Sequence, residues 1–317
     1  MTALGRLISL ESILIDVGLE LPALPDRGGD MVARGSHIEA GGGFNIVAAV
    51  ARQGVSCWYG GAHGTGNYGD IARAALAKEG IKLVQPQRAE SDTGFCVTMV
   101  EPDGERTFIT VPGVESELTR AELDRIAITP EDVVSISGYD LLYPVSGEVL
   151  TAWLETLPEG IRVVLDPGPL VQQIPAARLA TVVPKISVLT LNAREAQLIV
   201  EDESMGGHVL LDAVRTVLGL SATTTVVIRD GSNGCFANGM SIGPGLLIAS
   251  APLVRAVDTT GAGDTHTGVL IAGMLRQLPW PQILDEANRA AAISVTRVGP
   301  ATAPTRSEVL ESFGNVR

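Results

Sequence analysis

The sequence predicts an α/β fold: a central, mostly parallel sheet with helices on both faces and a small β-sheet lid beside it. Three observations lead there. Short β-rich runs alternate with longer helix-patterned segments along most of the chain. Those runs are apolar at successive positions, as strands covered by helices on both faces must be. The chain of 317 residues is 45% hydrophobic and 19% charged, and at that length roughly 75% of the unfolded surface can be buried without disulfide staples. One domain over 1–317 is therefore expected.

In chain order, residues 12–21 and 31–39 read as strands, and 45–54 as an apolar helix ended by Gly54. Residues 58–62 precede a helix over 68–78. Runs 94–100 and 106–111 flank the turn residues Pro102, Asp103 and Gly104 and read as a hairpin. The alternation then resumes: 133–137 before 147–157, 162–166 before 176–183, then 187–191 and 224–229. Beyond Asp230 the rhythm changes. Residues 235–238 and 246–250, joined through Gly239 and Gly243, read as an antiparallel hairpin at the sheet edge, followed by helices over 264–277 and 281–298. The β-rich pieces within 12–39 and 94–111 lie outside this rhythm and predict the lid, with extra edge strands of the main sheet as the competing reading.

Charge and composition exclude several function classes. A formal net charge of −13 argues against nucleic acid and anionic membrane as partners, which need a positive field. Arg6, Glu11 and Asp16 interrupt the N-terminal apolar residues before a membrane span or signal core forms. Cys57, Cys96 and Cys235 are far apart and form no CxxC, which points to a reducing compartment, so the cytoplasm is expected. No P-loop, HRD, DFG, GxSxG, HExxH or EF-hand spacing occurs.

Three glycine-rich segments compete as phosphate cradles. Gly64-Thr65-Gly66-Asn67-Tyr68-Gly69 matches GxGxxG and suggests a nicotinamide-dependent oxidoreductase, but no convincing ribose-binding carboxylate follows: Glu79 comes too early and Glu90 lies in a polar stretch. Gly41, Gly42 and Gly43 open an apolar helix, where bare backbone can approach a hydroxyl-rich ligand while Asn45 offers a donor and an acceptor. A plain tight turn capped by Asn45 is the structural alternative. Asp258-Thr259-Thr260-Gly261-Ala262-Gly263-Asp264 is the most informative. The N–H groups of Gly261, Ala262 and Gly263 at a helix start make an anion site suited to a phosphoryl group in transfer. A carboxylate there repels phosphate, so Asp264 makes most sense as a base for an attacking hydroxyl; a first-turn acid favouring the helix dipole is the alternative.

With these residues the chain resembles the ribokinase-like, or phosphofructokinase B, family of carbohydrate kinases. The N-terminal signature is similar to 41–54, with Gln53 in place of Leu; the C-terminal signature, Asp-Thr-x-Gly-Ala-Gly-Asp-x-x-x-Gly, is matched at every fixed position by 258–268. The resemblance implies ATP, Mg²⁺ and, in some members, K⁺. It makes Asp264 the catalytic base and Gly261, Ala262 and Gly263 the anion hole, and it puts Asp16, Gly41, Gly42 and Asn45 on the substrate. Asn192 and Glu195 would organise Mg²⁺ and phosphates, Glu195 through water, although the pair also reads as a helix capping box. Arg229, Gly231 and Gly234 would line the nucleotide, Asn288 would flank the adenine, and Asp258 and Thr260 would hold K⁺.

Four departures bear on the substrate. Leu14 stands where Asn is common, Gly66 where Asp is common, Phe44 replaces a small residue at the expected pocket floor, and His266 replaces an aromatic. The expected activity is ATP-dependent phosphorylation of a primary hydroxyl on a sugar or sugar-like molecule. A nucleoside kinase of adenosine, inosine or pseudouridine type is the nearest alternative, because Phe44 offers a face to a base. A non-catalytic sugar-binding protein with a degenerate kinase fold is a third reading. The alternation of Ile13, Ile15, Val17, Leu19 and Leu21 suggests a lid face for a homodimer.

Overall fold

A computed structural model describes residues 5–102 and 104–312; the hairpin-turn residue Asp103 lies outside the described residues. In chain order the strands are β1 (Leu7–Ser9), β2 (Ile13–Glu20), β3 (Gly35–Gly42), β4 (Cys57–Tyr59), β5 (Lys82–Leu83), β6 (Phe95–Val100), β7 (Arg106–Val111), β8 (Val133–Ser137), β9 (Arg162–Asp166), β10 (Ile186–Asn192), β11 (Thr225–Arg229), β12 (Cys235–Asn238) and β13 (Leu247–Ala249). Among the described residues nine form one sheet in the order β13-β12-β11-β10-β9-β8-β1-β4-β5. All neighbours are parallel except the β11-β12 and β12-β13 pairs, the edge hairpin expected from the glycines beyond Asp230.

Five parallel strands, β1 and β8 to β11, feed two cores, because successive side chains point to opposite faces. Leu7, Val133, Val164, Val188 and Val227 pack into one buried cluster; Ile8, Val134, Val163, Leu189 and Val226 pack into the other. The first cluster contains the helix Ala262–Leu275, in which every residue from Thr265 to Leu275 is buried. That helix is apolar on all sides because protein covers it on all sides. Gly268 brings it against the helix Gly43–Arg52: a Cβ there would lie 2.5 Å from the Ala49 Cβ and 2.8 Å from the Ile46 carbonyl oxygen. This close contact aligns the two helix starts.

The lid is a separate sheet of four strands in the order β3-β2-β6-β7 among the described residues, so the edge-strand reading does not hold. β2 pairs parallel with β6, and the other two pairs are antiparallel. Sequence and structure differ in register here. The second lid strand runs from Gly35 to Gly42, where the sequence suggested 31–39, because Gly41 and Gly42 complete the ladder opposite Leu14 and Ile13. The proposed glycine turn is thus mostly strand. β1 has no counterpart among the strands expected from the sequence, since its three residues and Leu10 make too short an apolar run before Glu11 and Ser12.

Candidate active site

The carboxyl ends of five adjacent parallel strands converge on one crevice, the place where open α/β sheets bind ligands. Glu11 follows β1, Tyr139 follows β8, and Asp166, Asn192 and Arg229 end β9, β10 and β11. Two cavities open there. One, of about 460 Å³, is lined by Asn192, Arg229, Gly231, Gly234, Ala262, Gly263, His266, Asn288 and the mainly apolar segment 251–256. The other, of about 300 Å³, lies under the lid and is lined by Glu11, Leu14, Asp16, Gly42, Asn45, Phe108, Thr110, Tyr139, Asp166, Glu195 and Asp264. Asn192, Arg229 and Gly263 belong to both walls. The two cavities therefore meet at the start of the Ala262–Leu275 helix.

That start is built by backbone geometry. Gly261 has φ +70°, and a Cβ on it would come within 1.9 Å of the Pro300 carbonyl oxygen, so the turn admits only glycine. First-turn amides lack intrahelical acceptors. One is nevertheless engaged: the Ala262 N–H donates to the Thr259 carbonyl at 3.3 Å. Gly261 itself lines neither cavity and acts by shaping the turn.

Asp264, in the first helical turn, faces the lid-side cavity and accepts a hydrogen bond from Asn45 Nδ2 at 2.8 Å. Burial raises its pKa to about 6, with Asp166 adding to the rise and Asn45 and Arg229 opposing it. Asp16 is raised to about 7, first by burial and then by Glu39 and Asp264. Burial also raises Glu11 and Glu195. Carboxyls tuned towards neutrality and facing a cleft are suited to proton transfer. Gly41 is buried below Asp16, whose Oδ2 sits 1.9 Å from where a Gly41 Cβ would be, so this glycine makes room for the carboxylate and does not line the cavity.

Arg229 is buried between the cavities. Its Nη1 donates to Asp166 Oδ2 at 2.9 Å and to the Thr267 hydroxyl at 2.6 Å, and its Nη2 lies 3.6 Å from Glu195 Oε2. Glu195 and Asn192 form the capping box that the sequence allowed: the Asn192 N–H donates to Glu195 Oε2 at 2.7 Å and the Glu195 N–H to Asn192 Oδ1 at 2.8 Å. Both residues also line the lid-side cavity. Asn288 Nδ2 donates to the Ala249 carbonyl at 2.8 Å and so anchors the end of β13, where the 251–256 wall begins. Asp258 and Thr260 line neither cavity.

The GxGxxG segment is closed to a dinucleotide. Asp92 fills the helix start there, accepting from the Tyr68 N–H at 3.1 Å and the Gly69 N–H at 2.7 Å. A side-chain carboxylate already satisfies the amides that a pyrophosphate would need.

Comparison with known proteins agrees with this geometry. Residues 6–306 match the model of the pfkB family carbohydrate kinases. The chain belongs to that family. An uncharacterized sugar kinase of Escherichia coli, YegV, is 33% identical over 99% of this chain and 98% of its own. The ribokinase of Haemophilus influenzae is 28% identical over 95% of this chain and 96% of its own. Among solved structures, Arabidopsis thaliana ribokinase complexed with ribose and ATP superposes with a TM-score of 0.79 at 23% identity, covering 98% of this chain and 100% of that one. The pfkB protein is thus a sugar kinase, a phosphotransferase acting on a sugar hydroxyl, with a ribokinase-like fold.

Two expectations about this kinase need correction. Phe44 is packed in the core at 6% exposure and lines neither cavity; the aromatic rings in the lid-side cavity's lining are Phe108, from the lid, and Tyr139. The helix position of Phe44 turns it inward, which periodicity on a helix buried all round does not reveal. In the lid, Ile13, Ile15 and Leu21 are buried, and only Val17 and Leu19 of the proposed face are partly open. Sequence reasoning missed Glu11, Asp166, Tyr139, Phe108 and Thr110. Asp166 at a strand end ahead of Pro167-Gly168 carried a usable signal; Phe108 and Thr110 depend on how the lid folds over. Among the described residues no helix is long and apolar enough to cross a membrane.

Proposed function

We propose that this kinase uses ATP to phosphorylate a primary hydroxyl of a neutral, polyhydroxylated molecule held under the lid. The observation that carries the reading is the meeting of the two cavities at Gly263 and Arg229, with the Asp264 carboxylate on the lid side. ATP enters the larger cavity, its base against the 251–256 wall and Asn288, its phosphates running past Asn192, Gly231 and Gly234 to the helix mouth. The acceptor lies between Asp16, Gly42, Asn45 and Asp264. As the acceptor oxygen bonds to the γ-phosphorus, the bond to the β-phosphate oxygen breaks and the hydroxyl proton passes to Asp264. The helix-start amides and the Arg229 guanidinium stabilise the charge in flight.

For Mg²⁺, no group of three or more His, Cys, Asp or Glu suited to direct ligation occurs among the described residues. Asn192 and Glu195 would hold a hydrated magnesium ion brought with the nucleotide, Glu195 through water. When bound, the ion neutralises phosphate charge. Glu195, held by its capping box, keeps a fixed position for that contact.

Charge narrows the acceptor class. Glu11, Asp16, Asp166, Glu195 and Asp264 line the lid-side cavity, and Arg229, its one cation among the described residues, is already paired. Such a lining repels a sugar phosphate or sugar acid and offers acceptors to hydroxyls. A nucleoside is the second reading, favoured by Phe108, which lines the cavity with 58% of its surface exposed. ADP release measured with ATP, Mg²⁺ and a panel of neutral sugars, polyols, sugar phosphates and nucleosides tests the reading. Preference for a neutral sugar or polyol is expected; preference for sugar phosphates defeats the charge argument, and no release above background defeats the kinase.

A homodimer through the lid belongs to the same proposal. The ladder aligns Ile38, Val17, Val97 and Ile109 in one row across the sheet, with Ile38 56% and Ile109 53% exposed. Light scattering that shows a monomer at micromolar concentration removes it.

A further inference from the structure

The resemblance places a monovalent cation at Asp258 and Thr260, and the residues present do not fit one. Both carboxylate oxygens of Asp258 are engaged. Oδ1 accepts from the Thr260 N–H at 2.9 Å, from the Thr260 hydroxyl at 2.7 Å and from Arg106 Nη2 at 2.5 Å; Oδ2 accepts from the Gly299 N–H at 3.0 Å. A cation on Oδ1 would sit against a guanidinium of the same charge. Arg106 and Asp258 are only 22% and 17% exposed, so water screens that repulsion weakly.

Arg106 comes from the lid. It is the first residue of β7, and the next two residues on its side of the strand, Phe108 and Thr110, line the acceptor cavity. Asp258 belongs to the body and begins the turn that ends in Gly261 at the helix mouth; through Gly299 it ties that turn to the segment whose Pro300 carbonyl abuts Gly261. One ion pair therefore joins the strand over the acceptor to the turn that shapes the phosphate site.

We propose that the Arg106 guanidinium, delivered by the lid, takes the place of the monovalent cation, so that this kinase works without K⁺ and its helix mouth is completed when the lid is down. The proposal rests on the kinase reading above. Arg106 is a positioning residue: it acts on the phosphate site through Asp258. Its charge neutralises a carboxylate that would otherwise repel incoming phosphate.

The test compares KCl, NaCl and tetramethylammonium chloride at equal ionic strength, for the wild-type chain and Arg106→Gln, reading both turnover and melting temperature. Wild-type turnover is expected to agree within about twofold across the salts; stimulation by K⁺ of about fivefold or more overturns the proposal. Arg106→Gln is expected to lose about tenfold or more of kcat in tetramethylammonium, to regain part of it with K⁺ or millimolar guanidinium, and to melt higher in K⁺. A variant as active as wild type without any small cation, or one that neither K⁺ nor guanidinium restores, overturns it. If no acceptor is phosphorylated in any salt, the kinase reading fails, while the melting comparison still judges the cation: a wild-type chain stabilised by K⁺ over tetramethylammonium refutes the substitution.

Discussion

Asn45 Nδ2 donates to Asp264 Oδ2 at 2.8 Å across the junction of two helix starts, while Asn45 Oδ1 is buried with no hydrogen-bond partner among the described residues. The amide thus fixes one carboxylate oxygen. A carboxylate held in this way lines the lid-side cavity in one fixed orientation, which is what the proposed proton transfer requires.

Replacing the proposed base has a defined consequence. Asp264→Asn keeps shape and packing, so the fold and ATP binding should persist while kcat falls by about 10² to 10⁴. Steady-state rates beside a nucleotide titration check it; undiminished turnover removes Asp264 from proton transfer.

The pH dependence of kcat/KM should show a single-proton limb near pH 6, falling on the acid side as Asp264 protonates. Asn45 lowers that pKa, so Asn45→Ala should move the limb to higher pH as well as reduce the rate. A limb that stays put in the variant would show that another group sets it.

Stability should follow the opposite trend. The Asp264 pKa rises from 3.8 unfolded to about 6 folded, so the native state binds more protons between these values and stability is lost as pH rises through about 6. Asp264→Asn escapes that cost. Its melting temperature should exceed the wild-type value at pH 8, by the equivalent of about 3 kcal/mol, and converge with it near pH 4. Equal melting temperatures at pH 8 would contradict the burial of this charge.

Two glycines at the helix mouth should behave differently. Gly261→Ala meets positive φ and the Pro300 carbonyl, and is expected to cost about 1–3 kcal/mol from backbone strain alone, with further loss from the clash. At Gly263 a Cβ meets only ordinary contacts, the nearest 3.5 Å away on Arg229, so Gly263→Ala should fold normally. It should still lose activity, because the methyl enters the wall shared by both cavities. Chemical denaturation and rate measurements on the pair separate the two outcomes.

Much of the molecule was legible in order along the chain. Doubly apolar runs announced strands covered on both sides, and glycines followed by Asp264 announced a helix start. Less legible were positions whose meaning depends on partners far away in sequence. Asp92 closes the GxGxxG segment across 23 residues, and nothing near Gly64 foretells it. Phe44 is packed in the core and Phe108, for which the sequence suggested no role, lines the cavity, because one helix is buried all round and one lid strand arches over that cavity.

The sequence by itself determined the α/β architecture and the residue types able to hold phosphate and take a proton, since periodicity, glycine placement and side-chain chemistry are local properties. Tertiary structure decided that Asn45 braces Asp264, that acid lines the acceptor cavity, and that a lid arginine meets Asp258. The reason is physical: each of those facts requires groups more than 100 residues apart to lie within a few ångströms, a distance set by helix and sheet packing and by no short stretch of chain.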